Sequence, residues 1–180
     1  MSAPNILIVF FAGNEATEAL ALVIAEGARA AGAAVRLRRT PHASGADATA
    51  YDPPTVEDAV WADAILFGTP RLFGSIPSEL SLYLDGLDDV RLRGALNGTF
   101  GGVFGAPDAA QNSGRSTVLS LYDRLVALGL IIVPLGYSHL APNAIRPRSD
   151  EDRAAARRQG GRIAAVAAQA IAEPLLGRAA

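Results

Sequence analysis

Residues 5–32 read NILIVFFAGNEATEALALVIAEGARAAG. An apolar run, Asn5–Phe11, leads into a short turn carrying Gly13 and Asn14. A stretch rich in Ala and Leu follows and stops at Gly32. Near-continuous hydrophobicity over so few residues predicts a strand covered on both faces, as in a parallel sheet. Glu15–Ala31 predicts a helix with Gly32 as its C-cap. Strand, tight turn and helix in that order form the first half of a βαβ unit.

Three further segments have the same buried-strand character: Asp63–Phe67 (DAILF), Thr99–Gly105 (TFGGVFG) and Gly129–Pro134 (GLIIVP). A fifth, AAVRLRRT at 33–40, alternates Val35 and Leu37 with Arg36 and Arg38. Such alternation fits a half-exposed edge strand. Between the strands lie helical patterns at Pro77–Leu84, with Pro77 in the first turn, and at Ser113–Leu128, with a broad apolar face of Val118, Leu119, Leu121, Leu125 and Val126. The last helix begins at Ser149, where SDED supplies an N-cap acceptor and carboxylates for the first turn. Gly160–Gly161 interrupts it, and it ends before Pro174. Repeated strand–helix alternation predicts an α/β fold, a doubly wound five-stranded parallel sheet. The edge character of the second strand favours strand order 2-1-3-4-5, the flavodoxin-like arrangement. The polar, Pro-rich stretch 40–60 reads as a long loop with a short helix, so residues 1–180 read as a single domain.

Composition narrows the chemistry. The chain has 180 residues, 50% of them hydrophobic, with a formal net charge of −2. It contains no cysteine, and all 16 basic residues are arginine. Disulfides, thiol chemistry, a Schiff-base lysine and a P-loop lysine are thereby excluded. The near-neutral charge argues against nucleic acid as a partner. The arginines between Arg153 and Arg162 have acidic neighbours and read as a solvated face. No apolar run reaches membrane-spanning length, and MSAPNILIVFF lacks the basic flank of a signal peptide, so a soluble cytoplasmic protein without membrane insertion is expected.

In this architecture ligands bind outside the carboxyl ends of the strands, where the strand order switches. Three loops rich in Gly, Pro and small polar residues follow buried strands and should meet there. They are AGNEAT at 12–17, GTPRLFGSI at 68–76 and APDAAQNSGRS at 106–116. The first offers N–H groups at a helix start. In the second, Gly68 and Gly74 permit a backbone to approach a planar ring closely. Any one Gly-rich loop is ordinarily just a tight turn; three after the expected strands outline a pocket.

DAILFGTPRLFGSIPSEL, LNGTFGGVFGAP and ALGLIIVPLGYS, with the closing SDEDRAAARRQGGRIAAVA, resemble the WrbA-type flavodoxin-like NAD(P)H:quinone oxidoreductases. The resemblance runs through most of the chain. It implies bound FMN, two-electron transfer from NAD(P)H to a quinone, and assembly into a homodimer or homotetramer. By that resemblance Ala12, Gly13, Asn14 and Thr17 hold the phosphate. Pro70, Arg71, Leu72, Phe73, Gly74 and Ser75 flank the flavin ring, with Ala106, Pro107, Ser113 and Gly114 on its other side. No side chain is nominated as a catalytic acid or base.

The departures from the family are specific. Arg71-Leu72 stands where Thr-Arg is usual, and Ser75 replaces Asn. Ala127, Leu128 and Gly129 stand where the family often has histidine. The segment after the last strand is shortened to HLAPNAIRPR, and its His139 reads as a surface or packing residue. Glu15 occupies the Gly position of the phosphate turn, where only Thr17 keeps its hydroxyl. A carboxylate about 5 Å from one phosphate charge repels it by roughly 3 kcal/mol at an effective dielectric near 20. That cancels one or two charged hydrogen bonds of about 1.5–3 kcal/mol each. If Glu15 points outward, with Asn14 capping the helix, its cost is small. Two readings therefore stand: an FMN-dependent oxidoreductase, or a flavodoxin-like protein that binds another small molecule or a protein partner. A hydrolase using Ser75 or Ser113 is weaker, because no G-x-S-x-G elbow is present.

Overall fold

β1 (Asn5–Phe10) lies at the centre of the fold because its side chains find cover on both faces: Ile6, Leu7, Ile8 and Val9 are wholly inaccessible. The computed structural model describes residues 2–11, 15–41, 50–69, 75–105, 114–134 and 150–172. After β1 come α1 (Glu15–Ala30), β2 (Ala34–Arg39), α2 (Val56–Trp61) and β3 (Ala64–Gly68). Then follow α3 (Ser78–Asp85), α4 (Asp88–Leu92), β4 (Phe100–Phe104), α5 (Gly114–Ala127), β5 (Ile131–Ile132) and α6 (Asp150–Ala172). The strands form one five-stranded sheet in the order β2-β1-β3-β4-β5, every pair parallel, as the sequence predicts.

Alternation along the strands divides the core into two layers. Ile6, Ile8, Phe10, Leu66 and Phe104 face α1 and α6. Leu7, Val9, Ile65, Phe67 and Val103 face the other way, onto Ala59, Leu80, Leu84, Leu121 and Leu125 of α2, α3 and α5.

Most elements fall within a residue or two of their predicted limits. Gly32 ends α1 with φ of +87°, the left-handed conformation expected of its C-cap position. Three differences have physical causes. β5 covers two residues rather than six, pairing only with Phe100 and Gly101, with Val133 adding one N–H bond of 2.9 Å to the Gly101 carbonyl. Pro134 has no N–H with which to continue. α4, a helix of five residues, is absent from the sequence reading. Finally, Gly160–Gly161 does not interrupt α6, which passes through it unbroken. A Cβ at Gly160 would fall on the Ile24 carbonyl oxygen, and one at Gly27 on the Arg157 carbonyl oxygen. The two glycines let α1 and α6 touch backbone to backbone, and this close seam is why they are there.

Candidate flavin site at the carboxyl edge of the sheet

The site is built from strand ends. Phe10 of β1 pairs with Gly68 of β3, and Gly68 with Phe104 of β4, so the three strands finish at one level. The ladder continues one residue further. Phe11 N–H donates to the Gly68 carbonyl (3.0 Å), and Thr69 N–H to the Phe104 carbonyl (3.1 Å). At the same edge Thr40 N–H, just past β2, donates to the Phe10 carbonyl (3.0 Å). Adjacent strands lie about 4.8 Å apart, so the chain segments leaving β1, β3 and β4 start side by side. The strand order reverses at β1/β3, the place where open α/β sheets hold their ligands.

Thr17 is the predicted site residue most fully defined. It lies in the first turn of α1, is wholly buried, and its Oγ1 has no hydrogen-bond partner among the described residues. A buried hydroxyl without a partner costs about 1–3 kcal/mol. It is also close to the helix start, where the first N–H groups of any α-helix lack intrahelical partners. An anionic oxygen placed there would satisfy both. A second buried hydroxyl without a partner among the described residues belongs to Thr40, at the end of β2. A buried hydroxyl at a helix start, such as that of Thr17, fits the phosphate of a flavin mononucleotide.

Glu15 opens α1 and is exposed. Its carboxylate stands in the first turn, where it favours the helix dipole, rather than being buried among the donors. Ser75 is exposed and lies just before α3, while Gly114 is the first residue of α5. Ala12, Gly13, Asn14, Pro70, Arg71, Leu72, Phe73, Gly74, Ala106, Pro107 and Ser113 lie outside the described residues, as does His139.

Gly68 has a different role from the one its place in the loop suggests. A Cβ there would enter the Phe104 ring and come within 3.0 Å of the Phe10 Cβ. The close approach that Gly68 permits is that of Phe104, a core contact beneath the site.

Sequence reasoning missed the charged surround. The ring of Tyr51, from the polar stretch after β2, meets Phe10 edge-on at 5.1 Å. Burial and the neighbouring Glu18 carboxylate, which is hydrogen-bonded to the Tyr51 hydroxyl, push that hydroxyl up; the Arg39 guanidinium pulls it down. The signal for Arg39 was present in RLRR: two adjacent arginines break the alternation and put one of them on the apolar face.

The parallel sheet in this strand order, with an anion-seeking corner at its switch point, defines a flavodoxin-like α/β protein. Among solved structures, a flavodoxin, WrbA-like protein from Agrobacterium tumefaciens superposes with a TM-score of 0.71 at 26% identity, covering 93% of this chain and 99% of that one. An archaeal flavodoxin shares the fold, with a TM-score of 0.67 at 15% identity. The family described as NADPH-dependent FMN reductase matches residues 6–143. An NAD(P)H dehydrogenase (quinone) of Cupriavidus metallidurans is 37% identical over 144 residues, 75% of this chain and 72% of the relative. One of Azorhizobium caulinodans is 32% identical over 195 residues, covering 92% and 98%. The chain belongs to the NADPH-dependent FMN reductase family, and its likeness to the WrbA type extends over both sequence and fold.

Proposed function

We propose that this protein is an FMN-dependent oxidoreductase that moves two electrons from NAD(P)H to a quinone. The observation that carries the proposal is the orphaned, fully buried Thr17 hydroxyl in the first turn of α1, beside the level ends of β1, β3 and β4. Family membership supports the same reading and leaves the flavin-free alternative without a specific observation in its favour.

FMN, when bound, supplies the two-electron chemistry, and the protein supplies binding and orientation. Thr17 donates its hydroxyl to the phosphate, within a turn formed by Ala12, Gly13 and Asn14. The segment from Pro70 to Ser75 flanks one side of the ring, and Ala106, Pro107, Ser113 and Gly114 the other. The protein acts as one flavodoxin-like unit over residues 1–180, in the cytoplasm, as a homodimer or homotetramer. Leu82 of α3, 75% exposed, and the edge strand β5 are the contact surfaces we favour.

The test is to incubate the purified protein with excess FMN, desalt it, and add NAD(P)H and then a quinone. A yellow protein that bleaches with NAD(P)H and recovers with quinone is expected. A colourless, inert protein would sink the reading. Light scattering checks the assembly: a monomer at all concentrations would contradict it.

A further inference from the structure

We propose that Phe104 is a positioning residue for the flavin ring: its side chain, laid over Gly68, and its carbonyl, bonded to Thr69, fix the spacing of the two chain segments that flank the ring. This rests on the flavin reading above.

The starting point is what fills the space over Gly68. Phe104 of β4 and Gly68 of β3 are register partners, and Gly68 pairs in turn with Phe10 of β1. Adjacent strands lie about 4.8 Å apart. A Cβ on Gly68 would stand 2.4 Å from Phe104 Cζ and 2.6 Å from Cε2, so the ring reaches across to the neighbouring strand and ends over the Gly68 backbone. The same Cβ would lie 3.0 Å from the Phe10 Cβ. Phe104 and Phe10 are both buried in the core layer under α1 and α6, and Tyr51 meets Phe10 edge-on at 5.1 Å. In a core packed this closely, a ring cannot shift without moving its neighbours.

Phe104 therefore holds β3 twice at the point where the chain leaves the sheet. Its ring covers Gly68, and its carbonyl accepts the Thr69 N–H (3.1 Å). Thr69 is itself wholly buried. The segment assigned to one side of the flavin ring begins at Pro70, directly after Thr69. The segment assigned to the other side begins at Ala106, two residues after Phe104. One side chain thus stands at the base of both. A smaller residue at 104 would leave a void beneath them, and a larger one at 68 would push the Phe104 ring aside. Either change acts on the slot for the ring rather than on the phosphate, so FMN and riboflavin should be weakened alike. The Thr17 hydroxyl serves the phosphate, and its loss should weaken FMN alone.

The experiment measures FMN and riboflavin binding by fluorescence quenching for wild type, F104L, G68A, the double variant F104L/G68A and T17V. It is run well below every melting temperature, and the absorbance bands of the bound flavin are recorded. We expect F104L and G68A each to weaken both flavins by about tenfold and to shift those bands. T17V should weaken FMN by about tenfold and riboflavin by less than about twofold. Because leucine at 104 leaves room for the added Cβ, the double variant should bind about as F104L does, instead of about a hundredfold more weakly than wild type. If wild type binds FMN and F104L keeps both affinities within about twofold with unchanged bands, Phe104 is structural only, whatever its melting temperature; the inference is overturned and the flavin reading stands. Additive losses in the double variant, or an F104L loss confined to FMN, also overturn it. If F104L or G68A does not fold, F104M decides: weaker binding of both flavins with shifted bands supports the proposal, and unchanged binding overturns it. A wild-type protein that binds neither flavin removes the functional reading, and the inference with it.

Discussion

The two faces of the sheet solve the same packing problem in different ways, and the arginines of β2 show the contrast on one strand. On the face of α2 and α3, Arg38 grips Asp58 with bonds of 2.6 and 3.0 Å, and Arg36 adds one of 3.0 Å while stacking over Trp61 at 3.9 Å. Thr55 caps α2 through the same carboxylate: Thr55 Oγ1 accepts from Asp58 N–H, and Asp58 accepts from Thr55 N–H. Tyr83 closes the cluster by donating to the Thr55 carbonyl (3.0 Å), and burial raises its hydroxyl pKa so that it stays a donor. This ion cluster is closed and joins edge strand to helix. On the α1 face, small residues bring the helices close, and Glu18, Tyr51 and Arg39 neighbour one another at the carboxyl edge of the sheet. A cation held by a buried carboxylate builds the fold, and on β2 that carboxylate is Asp58.

Breaking the first face's counterpart, the α1–α6 seam, should have the largest effect. Gly160→Ala places a methyl on the Ile24 carbonyl oxygen and forces the helices apart. We expect a loss of about 3 kcal/mol, seen as a melting temperature lower by roughly 6–12 °C. Gly161→Ala is the internal control. Its Cβ would sit 3.7 Å from the Gly27 carbonyl oxygen, an ordinary contact, so it should be neutral or stabilise by up to about 1 kcal/mol. Equal losses from the two would contradict the seam.

Asp58→Asn comes next, with an expected loss of about 2–3 kcal/mol at pH 7, measured by urea unfolding, because two arginines lose their shared carboxylate. Burial alone would raise the Asp58 pKa, but the hydrogen bonds from Arg38, Arg36 and Thr55 outweigh it and hold the carboxylate below its usual range. A depressed pKa gives stability that is complete above the unfolded-state value and fades as pH falls through the folded one. The gap between wild type and variant should therefore be constant from about pH 7 to 5 and narrow below about pH 4. FMN affinity should not change in this variant. The smallest effect belongs to Glu15→Gln: with the side chain exposed, FMN affinity should rise by less than about threefold. A gain of thirtyfold would mean that Glu15 points into the corner.

Strand order and both helical layers were legible in the sequence because each buried strand is an unbroken apolar run and β2 alone alternates. The α1–α6 seam was not. A Gly-Gly pair inside a helix lowers local propensity by about 1 kcal/mol per residue, and only the backbone of a helix 130 or so residues away in sequence explains it. Asp58 was half legible: Thr55-x-x-Asp58 is a capping pattern, but the reach of Arg36 and Arg38 across from β2 depends on which way the edge strand faces. At the proposed site, Thr17 stood out in the sequence as the one hydroxyl of the turn, and the structure buries it in the first turn of α1. Tyr51 was hidden in a polar stretch whose pairing with the end of β2 follows from no local pattern.

The most direct test of the account is a fluorescence titration of the purified protein with FMN, followed by NAD(P)H. The account predicts saturable quenching at one FMN per chain and loss of the flavin absorbance when NAD(P)H is added. No quenching at excess FMN, in a protein that melts cooperatively, would contradict it.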